Sequence, residues 1–201
     1  MRLSNLLTKY SEESQKKATL NYIKYWKLAR DKQVTPLGDW NVWLILAGRG
    51  FGKTWTGAYD IVNYAMNNAN TISAVLAPTF GDLRRVCFEG VSGINSLIPM
   101  ECYQNSRASG YNRSTSEIRV WNGSKIVGFS ASEPDRLRGS QYHRAWCDEL
   151  AAWRYPEAYD QLQFGLRLGK NPQVVITTTP RPTPIIKELM KRAKELSLIH
   201  I

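Results

Sequence analysis

The segment that most restricts how this chain can fold is Ala47-Gly48-Arg49-Gly50-Phe51-Gly52-Lys53-Thr54. It lies between a continuous apolar run, Val42 to Ala47, and a helix predicted from Thr54 to Asn68, the strand–loop–helix setting that a phosphate-binding loop requires. Glycines let consecutive N–H groups turn inward around the β- and γ-phosphates, and the helix N-terminus adds its positive dipole end. Lys53 can bridge phosphates and the Thr54 hydroxyl suits Mg²⁺. The usual pattern asks for glycine where this chain has Ala47, and a bare Gly-Lys-Thr would be weak evidence. The three glycines and the flanking elements carry the reading against a plain helix-capping turn.

Strand and helix signals alternate beyond this point. Ile72 to Ala77 reads as a buried strand, Phe80 to Leu97 as a helix interrupted by glycines, and His143 to Cys147 as a third core strand. Pro156 to Leu168 reads as a helix, Gln173 to Thr178 as a fourth strand, and Pro184 to Leu196 as a basic helix. Ser116 to Trp121 and Ser124 to Phe129 flank Asn122-Gly123 and predict a β-hairpin, expected as an insertion. The alternation predicts an α/β fold of P-loop NTPase type: a mainly parallel twisted sheet with helices on both faces. Ahead of it, Leu20, Ile23, Tyr25, Trp26 and Leu28 fall at helical spacings among lysines, so residues 1–39 are expected to form an N-terminal helical segment and 40–195 the nucleotide-binding domain.

Ala145-Trp146-Cys147-Asp148-Glu149 ends an apolar strand on two adjacent carboxylates, which alternation sends to opposite faces. Beside a phosphate loop, Asp148 is the candidate Mg²⁺ holder and Glu149 the general base for the attacking water. Arg49 lies inside the loop, and Arg136 and Arg138 precede the acidic strand; either region can supply a guanidinium to charge developing on the phosphoryl group. Thr177-Thr178-Thr179 closes the fourth strand at the edge where nucleotides bind in such sheets, and its hydroxyls are candidate γ-phosphate sensors.

Composition adds limits. With 43% apolar and 22% charged residues, a disordered or fibrous chain is excluded. The net charge of +10 suits a polyanion, but the excess is spread over the flanks: 8 basic against 4 acidic in 1–40, 14 against 11 in 41–180, and 5 against 2 in 181–201. Cys87, Cys102 and Cys147 are an odd set without C-x-x-C spacing, which indicates neither a disulfide framework nor a zinc site and fits a reducing cytosol. No apolar run approaches the length of a membrane span, so no membrane association is expected.

The loop, Ala77-Pro78-Thr79, Glu89-Gly90 with Ser92-Gly93, Asp135-Arg136-Leu137-Arg138-Gly139, Asp148-Glu149-Leu150 and Thr177-Thr178-Thr179-Pro180-Arg181-Pro182 together resemble the ATPase domain of phage terminase large subunits. The resemblance runs from about Trp40 to about Lys194 and implies an ATP-driven motor that packages double-stranded viral DNA. It implies ATP and Mg²⁺ as cofactors, bound by Gly48 to Thr54 with Asp148 on the metal and Glu149 activating water. Thr178 matches the family's coupling motif, Arg138 an arginine presented to a neighbouring subunit, and Arg49 becomes a phosphate sensor in its own site. A homo-oligomeric ring on the portal protein of a procapsid, a small terminase subunit, and residence in the host cell cytoplasm but not the mature virion follow as expectations. The family's C-terminal nuclease domain is expected to be missing, so DNA cleavage is not expected.

Leu196 to Ile201 resemble the translation of a transposase sequencing adapter and are expected to be a non-native tail, foreign to the fold. A nucleic-acid helicase would share the loop, acidic pair and threonine strand. A DNA-binding module with a merely structural loop would use the basic flanks alone.

Overall fold

The computed structural model describes residues 29–105, 110–195 and 198–200, so the helices expected before Ala29 lie outside the described residues. The strands are β1 (Val42–Leu46), β2 (Ile72–Ala77), β3 (Tyr111–Asn112), β4 (Glu117–Arg119), β5 (Lys125–Ser130), β6 (Arg144–Asp148), β7 (Gln173–Thr178) and β8 (Leu198–His200). Between them lie α1 (Lys53–Asn67), α2 (Phe80–Asp82) continuing into a π-helical turn (Leu83–Phe88), α3 (Ile94–Leu97), α4 (Glu157–Gly165) and α5 (Pro184–Glu195). The sheet runs β3-β4-β5-β2-β6-β7-β1-β8. From β5 to β8 every neighbour is parallel, and β3 and β4 join antiparallel at one edge.

The central strands are continuous apolar runs because the sheet is covered twice. Trp43, Ile45, Val75, Trp146 and Val175 face a core closed by Ala58, Ile61 and Ala65 of α1. Leu44, Leu76, Ala145, Cys147 and Ile176 face a second core closed by Ala158 and Leu162 of α4 and Ile186 and Leu189 of α5. Period-two alternation along each strand sorts its side chains between the two layers. Among the described residues no helix is long and apolar enough to cross a membrane.

The structure adjusts two sequence expectations, the inserted hairpin and the tail, and shows the glycine interruption expected of the helix after Phe80. The hairpin forms, with Gly123 at φ 83°, but its second arm β5 also pairs in parallel with β2 from Ile72 opposite Lys125 to Ala77 opposite Ser130. The hairpin is therefore grafted on through a strand of the main sheet. The helix expected from Phe80 to Leu97 breaks after Phe88, and a Cβ at Gly93 would stand 2.9–3.0 Å from the carbonyls of Val86, Cys87 and Phe88, so the reversal needs glycine there. Finally, Leu198–His200, expected to stand outside the fold, lie parallel beside β1 as an edge strand. An open edge recruits a short extended segment through main-chain hydrogen bonds, whatever its side chains.

Candidate nucleotide site

The loop after β1 is shaped by glycines with positive φ, 80° at Gly50 and 88° at Gly52, where α1 begins. The Phe51 carbonyl between them accepts from Gln33 Nε2 at 2.7 Å and from the Arg30 guanidinium, which also lies over the Phe51 ring at 4.5 Å. A Cβ on Gly52 would stand 2.7 Å from Gln33 Nε2, so this outer clamp closes only over glycine. Lys53 is 8% exposed, and its ammonium donates to the carbonyls of Ala47 at 2.9 Å and Gly48 at 3.2 Å. The same Nζ is 3.5 Å from Glu149 Oε1.

β6 ends on Asp148, and the expected alternation to opposite faces does not hold for the pair: Glu149 leaves the strand and its carboxylate turns back to the side of Asp148, where Thr177 and Thr179, two positions apart, reach one carboxylate each. Glu149 sits in the left-handed region at φ 47°, ψ 46°, a conformation disfavoured for a residue with a Cβ and typical of functional sites. It is held there by its own N–H to the Thr177 carbonyl at 2.6 Å. Its carboxylate accepts from Thr179 N and Thr179 Oγ1, both at 3.0 Å. Asp148 is 4% exposed; its Oδ1 accepts from Thr177 Oγ1 at 2.8 Å and its Oδ2 lies 3.7 Å from Cys87 Sγ. Burial pushes Asp148 up to about 6, opposed chiefly by the Thr177 hydrogen bond. Burial and the neighbouring Asp148 also raise Cys87 and Cys147, so both thiols stay protonated.

A groove of about 470 Å³ runs along the loop, lined by Lys53, Thr54 and Glu149 together with Arg85, Val86 and Val91. Of the predicted site residues, Gly48, Gly50, Phe51, Gly52, Lys53, Thr54 and Glu149 line it. Asp148 is buried behind Glu149. Thr177 and Thr179 reach the two carboxylates, whereas Thr178 faces the other way and accepts from Ala151 N at 3.0 Å. Arg49 is exposed and outside the groove lining. Arg138 is not brought to the groove: it follows a 3₁₀ turn (Pro134–Leu137) packed on α4, is 67% exposed, and pairs with Asp135 at 3.1 Å.

Sequence reasoning missed Arg30, Gln33, Arg85, Cys87 and Trp146. Only Trp146 left a trace, through Gly57 in the middle of α1, since an interior helix glycine signals a close approach. A Cβ there would fall 2.2 Å from Trp146 Nε1.

A glycine-shaped loop joins the parallel strand β1 to a helix, and an acidic pair follows a strand separated from it by β7 alone; together these define a P-loop nucleotide-binding domain. Residues 44–196 match the family model described as terminase large subunit, T4likevirus-type, N-terminal, and the chain belongs to that family. The fold is similar to the large terminase of a thermophilic bacteriophage, with a TM-score of 0.61 at 17% identity over 92% of this chain and 44% of that one. It is also similar to the ATPase domain of the Thermus phage P74-26 large terminase, with a TM-score of 0.62 at 18% identity over 83% of this chain and 72% of that one. The first of these two terminases in complex with ATP-γ-S gives a TM-score of 0.59 at 18% identity over 92% and 43%. The chain thus spans less than half the length of that protein. No curated protein matches it.

Proposed function

We propose that this chain is the ATP-hydrolysing motor part of a viral packaging machine that drives double-stranded DNA into a procapsid. The observation that carries the reading is Glu149, fixed in the left-handed region by Thr177 and Thr179 with its carboxylate on the groove beside Lys53. The loop N–H groups and Lys53 bind the phosphates, Glu149 accepts the proton of the attacking water, and Thr179 keeps that carboxylate oriented. The Asp148 carboxylate and Thr54 hydroxyl are hard oxygen donors suited to Mg²⁺, which takes a few protein oxygens together with substrate phosphates. When bound, the ion neutralises charge on the β- and γ-phosphates.

Arg138, exposed and away from its own groove, is the residue offered to a neighbouring subunit of a ring, and Arg49 senses phosphate in its own site. The motor works in the host cytoplasm, docked on portal and procapsid with a small terminase subunit. The test is a set of variants. Lys53→Ala abolishes ATP binding, while Glu149→Gln retains binding and loses turnover by about 10²–10⁴-fold. Mixing inactive Arg138→Ala with inactive Glu149→Gln in one ring restores some hydrolysis. Unchanged turnover in Glu149→Gln refutes the assignment of the base, and no rescue in a demonstrated mixed ring returns Arg138 to its own chain.

A further inference from the structure

Asp148 is nearly sealed from solvent, so its orientation is set by the protein. The Cys87 thiol, 3.7 Å from Oδ2, is a weak donor and holds it loosely. The Thr177 hydroxyl, 2.8 Å from Oδ1, is the strong partner, yet it has a second acceptor within reach in the Cys147 carbonyl at 3.5 Å. Trp146 fixes where that hydroxyl sits. Its Nε1 is 2.7 Å from Thr177 Oγ1, and an indole N–H only donates, so the threonine oxygen accepts that bond, which fixes the hydroxyl in place, and its own O–H goes to the nearer acceptor, Asp148 Oδ1. The chain of donors has one sense, Trp146 to Thr177 to Asp148, and each bond polarises the next. The indole itself cannot shift, because it is fully buried against Gly57, where even a methyl would fall 2.2 Å from Nε1.

We propose that Trp146 is a positioning residue for Asp148: its indole N–H, acting through the Thr177 hydroxyl, aims the carboxylate at the divalent cation. The inference rests on the reading above in which Asp148 helps hold that cation. Hydrogen bonds that orient a ligating carboxylate are worth about 10–100-fold in metal affinity, and one intervening hydroxyl reduces the expected effect to about three- to tenfold.

Mn²⁺ is the probe. Its free signal in electron paramagnetic resonance is titrated with the full 201-residue chain saturated with ADP. Trp146→Phe weakens Mn²⁺ binding about three- to tenfold while ADP affinity without metal is unchanged. Replacing Trp146 by benzothienylalanine, which keeps the ring size with sulfur in place of N–H, gives the same loss without a packing defect. Thr177→Val, which deletes the direct bond, costs about 10–100-fold, the Trp146→Phe/Thr177→Val double variant is no worse than Thr177→Val alone, and Thr177→Ser stays near the parent. Parental Mn²⁺ affinity in the benzothienylalanine protein, or losses that add in the double variant, overturns the proposal. Asp148→Ala separates the levels: if it leaves Mn²⁺ binding intact, the metal role of Asp148 and the inference fall together. If it abolishes binding while the indole replacements are silent, only the assignment of Trp146 falls.

Discussion

Gly57→Ala tests how tightly the site is built into the core, because helix propensity and packing predict opposite signs. In an open helix the change stabilises by about 1 kcal/mol. Here the new Cβ would stand 2.2 Å from Trp146 Nε1, 2.3 Å from Cε2 and 2.8 Å from Cδ1. Ordinary carbon contacts lie at about 3.5–4.0 Å, so α1 and β6 must separate by about an ångström. Neither is free to move, since α1 starts at the phosphate loop and β6 pairs on both sides with β2 and β7. Overpacking costs about 1–3 kcal/mol and weakening the Trp146–Thr177 bond about 1 more. Set against the gain in propensity, the net loss is about 1–3 kcal/mol, which lowers the Tm by about 3–10 °C for a domain of this size. Urea and thermal unfolding followed by circular dichroism measure it, with ATP turnover falling in parallel. A Gly57→Ala protein as stable as the parent would refute the close approach and the rigidity inferred from it.

Two further outcomes are expected. Asp60 and Arg144 form a buried pair with bonds of 2.6 and 2.8 Å, and Asp60→Ala strands the guanidinium at a cost of about 3–5 kcal/mol in urea unfolding, whereas Asp60→Leu with Arg144→Met recovers most of it. Equal losses in the single and double variants would show that packing, not charge, sets the cost. Asp148, raised from 3.8 to about 6, binds its proton more tightly in the folded chain than in the unfolded one. Its contribution is therefore fully present below about pH 4 and lost as pH rises through about 6, by up to about 3 kcal/mol. In metal-free buffer the urea midpoint should fall from pH 5 to 7 and flatten in Asp148→Asn; a parallel slope in both proteins would remove Asp148 as the cause.

What the sequence determined by itself is local and periodic. Glycines at 50 and 52 before Lys53 specify the loop, because positive φ and inward N–H groups are properties of a few consecutive residues. Period two placed Asp148 but not Glu149, which leaves the strand in the left-handed region and turns its carboxylate back beside Lys53 and Thr179. That rule also separates Thr177 and Thr179 from Thr178, although the family resemblance pointed to Thr178 as the coupling residue. Tertiary structure alone decided what meets across the chain. Cys87 reaches Asp148 from 61 residues away, Trp146 reaches Thr177 from 31, and Gln33 clamps the Phe51 carbonyl from 18. It also decided that β5 belongs to the main sheet, because the alternation in Lys125–Ser130 suits a hairpin arm and a half-covered parallel strand equally. Such contacts depend on strand order and register, which arise from burying both sheet faces together, and no short stretch of sequence encodes them.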